Sequence, residues 1–483
     1  MFERIYENVV ACGDKMAIVN GKYSLSYSDL KRELDEKKEW YETIFNGKNV
    51  AVVAGNVWET VLLILLAAQS RGRVILLGDN LRPNEFEYYV TNLKLDYVFI
   101  SEEKQKEFEL KCVMAEEVLT YNRLKCLTCV RREDETDTLY KDEDFVVQLT
   151  SGSEGVSKAT SRSMESLKNE IIYTCKTVDL SNDEVYMTIP PIAHSYGLVL
   201  GLLIPLYLGK KVILMESFAP NQVEKYLSEY KVNLFIAVPF MYHILCRRNS
   251  LKKKKLFLTK CFSAGGVLDA GIVKEFYELT GINIWNDYGS TETGLICLET
   301  TGNLNNVGKP IYGVTLKIRD SEGNDLNVDK QGVINVSGKS FGRGYVFPYS
   351  LTNKKFVDGF YITGDVGRVD DEGYVCIEGR NDDFFIVGSE KTSACEIKNA
   401  LLTIDDIADA VVMSEKNPGI GDIIVAYIVR NDGSVISEMD IVKRCKTFLE
   451  EYKVPRKIHF IKEVPKNKNG KVLRKYLASE VIG

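Results

Sequence analysis

Asn49-Val50-Ala51-Val52-Val53-Ala54, then an apolar stretch from Asn56 to Ser70, then Arg73-Val74-Ile75-Leu76-Leu77, decide the fold of this 483-residue chain. The first and third runs are short and almost wholly apolar, which predicts buried strands. The stretch between them predicts a helix, and its longest apolar run, Val61 to Ala68, is too short to span a bilayer. Pro83 to Leu93 predicts a second helix, and Asp96-Tyr97-Val98-Phe99-Ile100 a third strand. A β-α-β-α-β order implies a parallel sheet with helices on its faces.

The pattern recurs from residue 170 to about 290. Lys211 to Met215, Leu234 to Val238 and Leu256 to Ser263 predict strands, with helices between them. From Lys309 to Glu378 the texture changes. Thr315 to Arg319, Gly332 to Ser337 and Tyr374 to Glu378 alternate with Gly and Asp turns, which predicts a β-rich subdomain over about 309–378. After Gly379 an α+β pattern begins, with strands at Ala408 to Val412 and Asp422 to Val429 and a helix at Met439 to Leu449. The expected class is α/β. A large N-terminal domain (1–379) of parallel and mixed sheets with flanking helices precedes a small, mobile α+β domain (380–483). A hinge is placed at Gly379 to Asp383.

Bulk properties exclude several classes. An apolar fraction of 45% and a charged fraction of 27% are those of a globular protein. A formal charge of −6 lacks the basic excess of a nucleic-acid binder. Acids at Glu3 and Glu7 stand where a signal peptide needs a basic region. The eleven cysteines are scattered; Cys126 and Cys129 form one CxxC, with neither a second CxxC nor a histidine pair to complete a zinc site. Free thiols in a reducing, cytoplasmic setting and no membrane span are expected.

Several stretches carry chemistry. Leu149-Thr150-Ser151-Gly152-Ser153-Glu154-Gly155-Val156-Ser157-Lys158 combines glycines that expose backbone N–H groups, hydroxyl donors and a cation, the means of holding phosphate. It lacks the Gly-Lys-Ser/Thr of a Walker A loop, and read alone it is equally an ordinary polar loop. Asp287-Tyr288-Gly289-Ser290-Thr291-Glu292 follows a buried strand and offers carboxylate oxygen to a hard cation. In Tyr361-Ile362-Thr363-Gly364-Asp365 the carboxylate can accept from both hydroxyls of a diol, or can serve as a turn residue. Gly379-Arg380-Asn381-Asp382-Asp383 and Lys466-Asn467-Lys468-Asn469-Gly470-Lys471-Val472-Leu473-Arg474 complete the series. Lys252 to Lys255 reads as a solvated surface or as a contact for a coenzyme A or carrier-protein phosphate.

Five such stretches in this order resemble the adenylate-forming superfamily of acyl-CoA synthetases, peptide-synthetase adenylation domains and luciferases, over most of the chain. The resemblance implies an ATP- and Mg2+-dependent carboxylate ligase that makes an acyl-adenylate and then a thioester with CoA or a carrier-protein phosphopantetheine. Thr150, Ser151, Gly152, Ser153, Gly155 and Lys158 would hold phosphates. Gly265 and Gly266, in Ser263-Ala264-Gly265-Gly266-Val267, would line the adenine and acyl pockets, next to Asp287. Tyr288 would stack on adenine, Thr291 would bond the α-phosphate and Glu292 would hold the metal. Asp365 and Arg380 would take the ribose, and Asp382 would be the hinge. Lys471 would quench the charge that builds as pyrophosphate leaves.

His194, in Pro190-Pro191-Ile192-Ala193-His194-Ser195-Tyr196-Gly197-Leu198, would flank the acyl pocket. Amino-acid-activating members carry Phe-Asp there, so an acid without a free α-amino group is expected. Departures fall at Glu154, Ser157 and Ala159 in the phosphate loop, and at Ile386, Gly388-Ser389 and Ala394 in the segment lining the thiol tunnel. Two other readings stay open. One is a stand-alone adenylation enzyme loading a carrier protein; the other is an inactive nucleotide-binding or scaffold protein.

Overall fold

The computed structural model describes residues 1–79, 81–108, 113–129, 139–150, 158–248, 250–380, 384–387, 390–417, 421–466, 472–474, 476–477 and 481. The chain divides into two compact units, residues 1–316 with 336–361, and residues 317–335 with 362–483.

Two sheets build the first unit. One has nine strands in the order Lys309–Pro310, Gly294–Glu299, Ile284–Ser290, Lys260–Ser263, Leu234–Ala237, Val185–Thr188, Lys211–Leu214, Met16–Asn20, Tyr23–Ser26. Its strands run parallel from Ile284–Ser290 through Met16–Asn20, and the flanking pairs are antiparallel. The other has eight strands, in the order Tyr345–Phe347, Lys158–Ser163, Asp144–Thr150, Arg73–Leu76, Asn49–Val53, Tyr97–Ser101, Leu124–Cys129, Val113–Tyr121. Its middle four are parallel. Cys126 and Cys129 are both buried.

Side-chain alternation explains the layering. Val50 and Val52 enter a central cluster with Ile18, Tyr186 and Val212 of the other sheet, and the helix Trp58–Gln69 is buried all round from Trp58 to Ala68. Ala51 and Val53 point the other way, to Phe86, Tyr89 and Val90 of the helix Pro83–Asn92. On the outer face of the nine-stranded sheet, Val185, Met187, Ile213 and Phe235 pack with Val223, Leu227, Tyr242 and Phe276. Each such side chain contributes roughly 1.5–3 kcal/mol by leaving water. The carboxyl ends of neighbouring parallel strands lead into residues 189–195, 238–239 and 264–266, the edge where α/β sheets present ligand crevices.

The second unit carries an antiparallel pair, Ile407–Asn417 with Gly421–Arg430, joined in parallel by Lys457–Phe460. Ala394, Ile397 and Leu401 of the helix Ala394–Leu402, with Ile441 and Cys445 of the helix Glu438–Cys445, cover Ala410, Val412, Ile424 and Ala426. Among the described residues no helix is long and apolar enough to cross a membrane.

Several boundaries differ from expectation, among them the strand expected at Ala408 to Val412, which is Ile407–Asn417, and two have a visible cause. The strand expected at Leu256 to Ser263 is Lys260–Ser263, because pairing starts where Lys260 meets Leu234. The helix expected at Met439 to Leu449 is Glu438–Cys445. Ser437 and Asp440 form a capping box that starts it one residue earlier, and Leu449 N–H turns back to Cys445 O at 2.8 Å after the helix has ended.

Candidate active site

The stretch expected to hold phosphate begins and ends on two paired strands. Asp144–Thr150 and Lys158–Ser163 are antiparallel, and Thr150 pairs with Lys158. Ser151, Gly152, Ser153 and Gly155, with Glu154 and Ser157, lie outside the described residues. On the hairpin, Gln148 Nε2 donates to Ala193 O at 2.9 Å, which ties the strand to the His194 segment.

Arg162 lies further along the same hairpin and is 1% exposed. Its guanidinium donates to Ser195 Oγ at 3.2 Å and Ser340 O at 2.6 Å, and its Nη1 lies 2.5 Å from Glu170 Oε2. Glu170 Oε1 accepts Leu295 N–H at 3.0 Å. One buried ion pair thus joins the hairpin, the helix Met164–Thr177, the His194–Ser195 corner and the strand Gly294–Glu299. The sequence reading missed it. The available signal was a glutamate among Leu167, Ile171 and Thr174, on the helix's buried face.

Ser263 pairs with Asn286 on parallel neighbours, so Gly265, at φ +81°, and Gly266 follow one strand while Asp287 and Tyr288 lie within the next, just past that pairing. Alternation puts Asp287 and Tyr288 on opposite faces. Asp287 shares its face with Trp285, which packs on the central core. Burial, and then the Glu170 charge, push its carboxyl well above the ordinary range. Burial, followed by the Asp287 charge, likewise raises the Tyr196 phenol, whose hydroxyl donates to Ala237 O at 3.2 Å. His194 precedes the short helix Ser195–Leu198 and is half-buried. Burial lowers its pKa, so the imidazole is neutral at pH 7. A π-helical turn, Val199–Leu203, follows, a distortion frequent at functional sites.

Thr291 and Glu292 occupy the turn between Ile284–Ser290 and Gly294–Glu299. Gly294 closes it at φ +71°, where a Cβ would lie 2.3 Å from the Glu170 carboxyl. Glu292 is 6% exposed, and its Oε1 accepts the Tyr345 hydroxyl at 2.7 Å. Lys158 Nζ lies 5.8 Å from the centre of the same tyrosine ring. Tyr345 reaches this place because its strand pairs with the hairpin, Tyr345 opposite Thr160. It was not foreseen.

In the second unit, Asp365 and Arg380 are register partners on antiparallel strands, with Nη1 and Oδ1 2.9 Å apart. Asp382, expected as the hinge, and Lys471 lie outside the described residues, as do Gly388 and Ser389. Lys466 and Val472 form a bridge on either side of 467–471, and Leu473 N–H donates to Pro465 O at 2.7 Å. Asp409 anchors Lys466, accepting it at 2.7 Å and Lys398 at 3.0 Å. Burial raises its pKa, but the bond from Lys466 and the charge of Lys398 outweigh it, and the carboxyl stays below the ordinary range.

A model described as AMP-binding enzyme matches residues 5–346, and one described as AMP-binding enzyme C-terminal domain matches residues 396–471. The chain belongs to the AMP-binding enzyme family. Among the relatives of this AMP-binding enzyme is the 2-succinylbenzoate–CoA ligase of Oceanobacillus iheyensis, 27% identical over 440 residues, or 89% of this chain and 88% of that protein. The fold matches ATP-bound MatB from Rhodopseudomonas palustris with a TM-score of 0.86 at 23% identity, over 99% of this chain and 98% of that one. It also matches o-succinylbenzoate CoA synthetase (MenE) from Bacillus subtilis, in complex with its acyl-adenylate intermediate, with a TM-score of 0.83 at 20% identity over 98% and 97% of the chains.

Proposed function

We propose that this AMP-binding enzyme is an ATP-dependent carboxylate ligase that joins an organic acid to AMP and then passes the acyl group to a thiol. The observation that carries the reading is the run Lys158–Tyr345–Glu292, which sets an ammonium and a carboxylate either side of one tyrosine, with Lys158 at the end of the glycine- and hydroxyl-rich stretch of sequence.

MgATP fits these residues. Among the described residues the buried Glu292 carboxylate forms no ion pair and accepts one hydrogen bond, and anionic oxygen is the donor that Mg2+ takes. Glu292 would hold Mg2+, which when bound would supply positive charge against the nucleotide phosphates. Thr150, Ser151, Gly152, Ser153, Gly155 and Lys158 hold those phosphates, and Thr291 bonds the α-phosphate. Tyr288 stacks on adenine against Gly265 and Gly266. Asp365 and Arg380 take the ribose, a diol matched to a carboxylate and a cation. Lys471 offsets the repulsion between an anionic acid and the phosphate it attacks.

Residues 1–379 form the adenylating domain, with its β-rich part at 309–378. Residues 380–483 form a mobile lid that turns at Asp382 between the half-reactions. His194 and Tyr196 flank the acid. The segment Pro190 to Leu198 carries no acid that could pair with an α-ammonium group. The acid is therefore a fatty or aromatic carboxylate, in keeping with the succinylbenzoate ligase relative. The thiol is CoA, as in that relative's name, or a carrier-protein phosphopantetheine.

Acid-dependent exchange of labelled pyrophosphate into ATP, across carboxylates of varied chain length and ring content, tests the reading. Exchange with at least one acid is expected. Its absence with every acid would leave only nucleotide binding or scaffolding. Incubation with CoA or with a phosphopantetheinylated carrier then identifies the acceptor.

A further inference from the structure

We infer that Tyr345 is a positioning residue that keeps Glu292 and Lys158 apart and aims the Glu292 carboxylate at the metal. The inference rests on the ligase reading above. Tyr345 is 2% exposed, so its ring has one place to be. Its backbone is pinned twice by Thr352, whose Oγ1 accepts Tyr345 N–H at 2.9 Å and donates to Tyr345 O at 3.1 Å. Gly342 N–H donates to Glu292 O at 2.8 Å, which fixes the two segments to each other.

Two consequences follow from the chemistry of a phenol. The hydroxyl donates to Oε1 of Glu292 and so fixes the carboxylate's orientation, leaving Oε2 for a hard cation. The ring face attracts the Lys158 ammonium. Lys158 and Glu292 are opposite charges drawn toward one site, and direct contact would cancel both before nucleotide arrives. They form no ion pair with one another; the ring is the spacer.

Two substitutions separate these roles. Tyr345→Phe removes one oxygen and keeps the ring. Tyr345→Leu removes both the bond and the spacer. Binding is read without acid present, as calorimetric affinity for ATP across a Mg2+ titration, with unfolding midpoints of the nucleotide-free proteins recorded alongside. For Tyr345→Phe the Mg2+ concentration at half-saturation should rise roughly 10- to 100-fold, the range for losing the partner of a metal-binding carboxylate. Affinity for ATP without Mg2+ should stay at the wild-type value. Tyr345→Leu should weaken ATP binding at every Mg2+ concentration.

Tyr361→Phe is the control. The Tyr361 hydroxyl lies 3.3 Å from that of Tyr345, and removing it leaves the bond to Glu292 in place, so the Mg2+ response should match wild type. An unchanged Mg2+ response in Tyr345→Phe overturns the inference. So does an equal shift in Tyr361→Phe, which would trace the effect to a loosened tyrosine pair. Wild-type protein that takes up no MgATP sinks the ligase reading itself, a different result.

Discussion

The Arg162 guanidinium and the Glu170 carboxylate meet 2.5 Å apart at side-chain exposures of 1% and 5%, in the middle of the candidate active site. Neither charge has water to fall back on. Their attraction is balanced against a large desolvation cost, so the pair is worth less than the damage done by removing one member.

Glu170→Leu should therefore cost about 3–5 kcal/mol, because Arg162 stays buried and uncompensated. The double variant Arg162→Met with Glu170→Leu should recover most of that loss. Urea unfolding followed by tryptophan fluorescence measures both. Equal losses in the single and double variants would show that packing, not charge, is at stake.

Asp287 predicts a pH effect of opposite sense to the usual acid. Its folded pKa lies well above the ordinary 3.8, so between that value and the folded one the unfolded chain releases a proton that the native state keeps. Stability from this group is full below about pH 3.8 and declines as pH rises. Asp287→Asn should stabilise the protein at pH 7, by about 1.4 kcal/mol for each tenfold displacement of the proton equilibrium, with the gain vanishing in acid. Unfolding midpoints of the two proteins from pH 4 to 8 provide the comparison. A difference that does not vary with pH would contradict this assignment.

Lys471→Ala should lower acid-dependent pyrophosphate exchange by roughly 10²-fold or more, the effect of losing one preorganised charge. Exchange within a few-fold of wild type would remove Lys471 from the adenylating step.

Asp382→Pro should spare pyrophosphate exchange and impair thioester formation, since proline fixes a torsion that a pivot must change. Product quantified by mass spectrometry, beside exchange on the same preparation, decides it. Equal loss in both assays would count against a turning lid.

The parallel core was legible because Val50 to Val53 are apolar on both faces, and burial on both faces is what a central parallel strand undergoes. The strand Lys158–Ser163 was not. Lys-Ala-Thr-Ser-Arg-Ser shows no apolar alternation, and it buries polar atoms by bonding them instead. Thr160 Oγ1 donates to Gly344 O at 2.9 Å and Ser161 Oγ to Asp144 Oδ1 at 2.6 Å.

The same division runs through the site. Thr150 and Lys158 could be picked out because they bracket glycines and hydroxyls, and Glu292 because it follows Tyr288 and Gly289 in a recognisable order. Tyr345 and Arg162 owe their importance to partners distant in sequence, which no local pattern discloses.

Arg380 is the last residue of the strand Val375–Arg380, and its register partner Asp365 lies upstream. Any later change of backbone torsion leaves that couple undisturbed. A nucleoside clasped there would keep its grip while the polypeptide beyond pivots, so one bound sugar could serve as the fixed reference for two successive chemistries.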